Sequence, residues 1–302
     1  MTIFLYIVTV LVWGTSWIAI SFQNGSVDSL VSIFYRFGLA SLLLLPFLYL
    51  TGRLQKSRRI DHVWYFLQGC CLFCFNFICF YKASAYMPSG LLSIVFSMAI
   101  FYNAINNRVF WGVKPSSSVY GAGVLGVIGL LLLFWPELQS TSASSELLLG
   151  IGLSALGTFG FSLGNMITVR HKKNNINPLT STAYGMSYGA LTLLLIITVT
   201  QTPITWDVRT EYLYSLVYLA VFASVIGFTA YLSLVNRIGA NQAAYATVVF
   251  PVIALALSSV YEGYTWEIMN GLGLTLILLG NAVAMNLIGI KRMSKSLLKH
   301  AV

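Results

Sequence analysis

Charge is what this chain has least of: Asp, Glu, Lys and Arg make up 8% of its 302 residues, and only eight of them are acids. A water-soluble protein of that length covers itself with far more polar groups, so a soluble globule is excluded. Histidine is scarce too. His62, His171 and His300 fall at the ends of apolar runs, and no Asp or Glu falls near the middle of one. An active site or metal centre at membrane depth needs such groups to converge, so no enzyme activity, no catalytic residues and no cofactor are expected. The same scarcity argues for facilitated diffusion or exchange over strong proton coupling, because a proton relay uses an ionisable side chain inside the membrane. There is no G-x-x-x-x-G-K-[ST] for nucleotide hydrolysis. Cysteine is confined to Cys70, Cys71, Cys74 and Cys79, all in one apolar stretch. Cys71 and Cys74 form a C-x-x-C, but hydrocarbon disfavours the thiolate, so they read as small packing residues and no metal site is expected.

What is abundant is apolar length. Hydrophobic residues make up 58% of the chain, and a window of about 20 residues, enough to cross a bilayer as a helix, finds ten runs. They cover roughly 2–21, 30–51, 63–82, 89–110, 118–136, 147–169, 178–200, 211–235, 239–260 and 265–288. The first lacks a basic leader and an A-x-A site, so it is expected to be a retained helix. The predicted class is an all-α membrane protein with ten transmembrane helices.

The formal charge of +9 would suggest nucleic acid in a soluble chain. Here its distribution points to the bilayer instead. Arg53, Lys56, Arg58 and Arg59 follow the second run, Arg108 and Lys114 the fourth, Arg170, Lys172 and Lys173 the sixth, and Arg237 the eighth. Lys291, Arg292, Lys295 and Lys299 follow the tenth, so fourteen of the 17 basic residues share one side. Opposite lie Lys82 and Arg209 with seven of the acids; Asp61 alone joins the basic side. The positive-inside rule then puts both termini in the cytoplasm, with the tail 291–302 against anionic lipid.

At an offset near 150 residues the two halves echo each other. Gly14-Thr15 parallels Gly157-Thr158, Tyr35 parallels Tyr184, Tyr81 parallels Tyr231, and Gly121 to Gly129 parallels Gly271, Gly273 and Gly280. Five spans per half place the halves upside down relative to each other, with 1–146 as the first repeat and 147–290 as the second. That geometry is characteristic of transporters.

Trp13-Gly14-Thr15-Ser16-Trp17, Arg36-Phe37-Gly38-Leu39-Ala40 through Pro46, and Phe250-Pro251-Val252 leading to Tyr261-Glu262-Gly263 resemble the EamA family of the drug/metabolite transporter superfamily. The resemblance spans nearly the whole chain. It implies ten helices in two inverted five-helix repeats, a bacterial inner-membrane location and export of amino acids or other small metabolites by alternating access. The first half departs from the pattern, with Met98 to Tyr102 where the family carries a proline, so its fourth helix is expected to be less kinked.

For the site, Arg36 and Lys82 either bind the carboxylate or phosphate of a substrate or serve local structure; for Arg36 a helix-end or snorkelling role is expected. Glu262 is expected to brace the outer helix ends rather than take up a proton or a cation. Pro251 is read as a kink and hinge in the ninth helix. The helices that surround the central path in the resembled family make Trp13, Trp17, Asn76, Tyr81, Asn165, Tyr231 and Tyr245 the expected lining, with Lys82 at its edge. Amides, phenols and indoles suit an uncharged or zwitterionic small-molecule substrate with an apolar part. The alternatives are an importer or exchanger of a choline-like, nucleotide-sugar or sugar-phosphate solute, and, more distantly, a lipid flippase. Gly160 and Gly164 form a G-x-x-x-G, read as packing within one molecule, with a weak homodimer as the other reading.

Overall fold

A computed structural model describes residues 1–115, 117–135, 144–244 and 246–284. Among them there are helices and no strands. The main ones are α1 (Thr2–Ser21), α2 (Ser29–Leu50), α3 (Arg59–Ala83), α4 (Ser89–Trp111) and α5 (Ser117–Leu133). In the second half come α6 (Ser144–Lys173), α7 (Pro178–Val199), α8 (Thr210–Ile238), α9 (Ala246–Tyr261) and α10 (Ile268–Ala284). Helix is the form an apolar run takes in hydrocarbon, because it satisfies every backbone group within the segment. Seven of the ten, α1 to α4 and α6 to α8, are long and apolar enough to cross a membrane; α5, α9 and α10 contain shorter apolar stretches.

Local chemistry sets the ends. Asp28 accepts from the Leu30 amide at 2.8 Å to start α2, and Asn177 accepts from the Leu179 amide at 2.9 Å to start α7, where Pro178 occupies the first turn. Gly112 and Gly263 close α4 and α9 at φ of 69° and 68°, a left-handed backbone that favours glycine. Two helices carry an extra residue per turn for part of their length. These wide turns run over Cys70–Phe75 in α3 and Leu219–Phe228 in α8, the kind of irregularity that recurs at functional positions.

In contrast with the expectation of a straighter fourth helix, α4 is interrupted at Met98 without a proline. The Met98 amide bonds the Val95 carbonyl and the Phe101 amide bonds Met98, a tighter turn on both sides. Ser93 and Ser97 each return a hydroxyl to a carbonyl three residues back, at 2.6 and 2.7 Å, and so compete with the helical ladder just before the break.

α1 packs between α8 and α9 and touches α4; α6 packs between α3 and α4 and touches α8. α2 pairs with α7, and α5 pairs with α10. Glycines permit the closest approaches. Gly129 and Gly273 bring α5 and α10 together backbone to backbone, and a Cβ on Gly160 would stand 2.7 Å from the Phe75 ring. Gly164 faces Leu72 of α3, the helix that also carries Phe75, so the G-x-x-x-G of α6 is filled by α3, as the intramolecular reading expects. Gly121 and Gly271, counted with the same series, have open space beside them.

The outside is apolar. Leu42, Phe47, Leu50, Val124, Leu131, Leu191 and Leu195 all stand exposed, a surface that water would not tolerate in such density and that lipid covers. Each end has a polar fringe. At the basic end Asp61 binds Arg58 at 3.1 Å and Arg170 at 3.2 Å, while Gln55 ties to Asn175 and Asn177. At the other end Asp207 accepts from Ser26 and Arg209, and Arg209 holds its carboxyl below the usual carboxylate range. Because Arg209 is 48% exposed, that pair adds little stability.

Candidate functional site

Aromatic rings from six helices meet on the axis of the bundle. Trp13 lies 4.8 Å from Tyr231, 4.9 Å from Phe228, 5.9 Å from Phe161 and 6.3 Å from Phe96, centre to centre. Trp17 sits against Phe80 at 5.3 Å, Phe96 at 5.6 Å and Phe250 at 6.1 Å. Phe96 links the two groups. Most of these pairs are tilted or edge-to-face, the arrangement that the ring quadrupole favours.

Between them is a cavity of about 30 Å³, room for a water or two and no more. Its wall includes Trp13, Trp17, Arg36, Asn76, Phe96 and Phe250. The wide turn of α8 supplies two of its anchors. The Ala223 carbonyl accepts from Trp13 Nε1 at 3.2 Å, and Ser224 Oγ accepts from Arg36 Nε at 2.9 Å.

Arg36 is 1% exposed. Its guanidinium stacks on Phe77 at 4.3 Å and Phe37 at 5.1 Å and lies beside the Tyr81 hydroxyl. The ion pairs among the described residues join Asp61 to Arg58 and Arg170, and Asp207 to Arg209, so none of them neutralises Arg36. Burying a cation without a partner costs several kcal/mol, a cost that cation–π contacts offset only in part. Three side-chain atoms of the cavity wall are also buried without a hydrogen bond: an Arg36 terminal nitrogen, Trp17 Nε1 and Asn76 Oδ1.

Hydrogen-bonded polar groups lie on both sides of the rings. Toward the basic end, Asn165 Nδ2 donates to the Tyr231 hydroxyl at 3.0 Å and to Asn103 Oδ1 at 3.3 Å, while Asn103 reaches the Ala240 carbonyl. Asn106 donates to Ser162 and Asn107 to Asn241. Toward the other end, the Tyr81 hydroxyl donates to Gln23 at 2.7 Å. There the Glu262 carboxylate accepts from the Ser89 amide at 3.0 Å, the Ser89 hydroxyl at 2.7 Å and the Ser258 hydroxyl. It thereby caps the first turn of α4 from the end of α9. Glu262→Ala strands those three donors and is expected to lower stability by about 1–3 kcal/mol, whereas Glu262→Gln keeps most of it; unfolding in detergent checks both.

The structure brings Trp13, Trp17 and Asn76 into the cavity wall and sets Tyr231, Asn165 and Tyr81 among the polar groups beside it. Pro251 lies inside α9, next to Phe250 of the wall. Tyr245 lies outside the described residues. Two placements differ from expectation. Lys82 is exposed at the end of α3 and away from the cavity, because adjacent residues on a helix point about 100° apart and Tyr81 takes the inward direction. Arg36 does not snorkel; it is buried in the wall. Phe96 was not foreseen in the wall, and nothing in Ser93 to Ser97 marks it apart from an ordinary apolar run. No group of three or more His, Cys, Asp or Glu able to hold a metal comes together among the described residues.

The pattern of the EamA-like transporter family matches residues 1–135 and again 148–286. The chain is 24% identical over 271 residues to protein PagO of Salmonella typhimurium, covering 86% of this chain and 84% of that protein. It is 24% identical over 203 residues to a probable amino-acid metabolite efflux pump of the same organism, covering 64% of this chain and 66% of the pump. A protein of that name from Escherichia coli matches at 23% over 203 residues. A crystal structure 16% identical in sequence superposes with a TM-score of 0.69 over 94% of this chain and 96% of the other, which is a likeness of fold. The family resemblance carried by the tryptophan, arginine and proline motifs therefore holds, and the chain is a multi-pass membrane protein that belongs to the EamA-like transporter family.

Proposed function

We propose that the protein is an alternating-access carrier that exports amino acids or closely related compounds across the cytoplasmic membrane. In this reading it crosses the bilayer ten times with both termini in the cytoplasm, as two inverted repeats, 1–146 and 147–290. The observation that carries it is the central cavity, walled by aromatic rings and unpaired polar atoms and flanked by hydrogen-bonded polar groups on each side. A channel needs a continuous path; a carrier needs one site between two closures.

The repeat reading is supported by features that recur at a fixed offset. Asp28 and Asn177 start α2 and α7, Gly52 and Gln201 follow them with φ of 65° and 53°, and the wide turns begin at Cys70 and Leu219. Each pair is about 149 residues apart. The helix contacts also survive the exchange of each helix for the one five places on: α1 with α9 becomes α6 with α4, and α1 with α8 becomes α6 with α3. Two related halves that pack alike can trade conformations, which moves the opening from one side to the other. α9, with Pro251, and α4, with its break at Met98, supply the bends.

The relatives named as amino-acid metabolite efflux pumps support the substrate class. A choline-like cation is disfavoured by the guanidinium in the wall, and a sugar phosphate by the exposure of Lys82. Cells that overproduce the protein and are loaded with a phenylalanine, leucine or threonine dipeptide are expected to release the free amino acid faster than cells with empty vector. Equal release for all three would count against export of this class.

A further inference from the structure

Resting on the carrier reading, we propose that Arg36 is the receptor for a substrate carboxylate, so that the cavity selects solutes bearing one carboxylate next to an apolar or aromatic group. A guanidinium offers five N–H donors in a planar fork that fits a carboxylate. Here Nε donates to Ser224 Oγ at 2.9 Å, the guanidinium lies over the rings of Phe37 and Phe77 and beside the Tyr81 hydroxyl, and one terminal nitrogen stays unpaired. That unpaired nitrogen belongs to a side chain that lines the cavity. No acid among the described residues pairs with it. The missing counter-charge is what an arriving carboxylate brings.

Two further atoms fit the same ligand. Trp17 Nε1 is a second unpaired donor in the wall, and Asn76 Oδ1 an unpaired acceptor. A carboxylate takes the two donors. An ammonium group on the next carbon takes the acceptor and the aromatic faces, and the rings of Phe96, Phe161 and Phe250 receive the apolar side chain. An amine without a carboxylate meets the uncompensated guanidinium instead and is repelled. A doubly charged phosphate finds a single cation. At 30 Å³ the cavity is too small for any of these solutes, so entry requires the rings to part, as alternating access demands.

The test uses the purified full-length protein in chloride-free detergent buffer, with L-phenylalanine, 3-phenylpropionate and phenethylamine as probes and binding read by calorimetry. Phenylalanine is expected to bind, phenylpropionate to keep a measurable affinity, and phenethylamine to bind at least about tenfold more weakly, the ratio for losing a charge-assisted hydrogen bond. In Arg36→Gln the preference for acid over amine disappears; in Arg36→Lys it survives in part. The comparison of the three probes on the unmutated protein needs no variant to fold. Phenethylamine binding as tightly as phenylalanine overturns the proposal. So does an unchanged preference in Arg36→Gln, or chloride or inorganic phosphate competing as well as phenylpropionate, which would make Arg36 a general anion site. If neither carboxylate binds while proteoliposomes still exchange phenethylamine, the carboxylate site falls and the carrier stands. If no probe binds and no amino acid is exchanged, both fall.

Discussion

Trp13→Ala is expected to destabilise the protein by about 3–5 kcal/mol, the range for removing a large buried aromatic. Four rings, Phe96, Phe161, Phe228 and Tyr231, pack on this indole, and its N–H is held by the Ala223 carbonyl in the wide turn of α8. Removing it opens a void where helices α1, α4, α6 and α8 meet. Trp13→Phe keeps most of the packing and loses the hydrogen bond, which leaves a cost of about 1 kcal/mol. Unfolding by SDS in mixed micelles separates the two. A Trp13→Ala protein as stable as the unmutated one would show that the ring cluster does not hold the bundle together.

Gly69→Ala is the second large effect, and a single methyl group produces it. A Cβ at Gly69 would run into the Gly185 carbonyl oxygen and stand 2.9 Å from the Gly189 amide nitrogen. Both obstacles are backbone, so α3 and α7 must separate along their length rather than repack a side chain. Overpacking of this kind costs about 1–3 kcal/mol or more, and the upper end is expected here. Gly121→Ala is the matched control, because its Cβ meets nothing within 4 Å, and it is expected to unfold at the same SDS concentration as the unmutated protein. Equal stability of the two variants would contradict the α3–α7 crossing.

Apolar length was legible in the sequence because it is a sum over many residues, and each apolar run overlaps a helix of the structure. The tryptophans of α1 and Asn76 were legible as wall residues because the helices that carry them surround the central path in the resembled family; taken singly, an amide in a membrane helix more often ties helices together. What the sequence hid was rotation and local backbone. Tyr81 and Lys82 are neighbours in the chain, yet one is buried and the other exposed. Arg36 lies two turns into α2, near enough to a helix end for its stem to reach the interface. It turns inward instead, because Ser224 and the face of Phe77, from distant segments, and the neighbouring Phe37 ring receive it. The wide turns in α3 and α8 and the break at Met98 have no proline to announce them. Returning hydroxyls accompany the break at Met98, and an apolar window detects neither them nor a wide turn.

The most direct test of the central claim is solute counterflow. Proteoliposomes holding the protein are loaded with unlabelled amino acid, placed in a trace of the same labelled amino acid, and followed for label inside, across a panel of the standard amino acids. A carrier with one site between two closures exchanges internal for external substrate, so label is expected to accumulate transiently above its outside concentration for at least one member of the panel. Label that only equilibrates, without overshoot, would indicate a pore, and label that never enters for any member would contradict the amino-acid carrier.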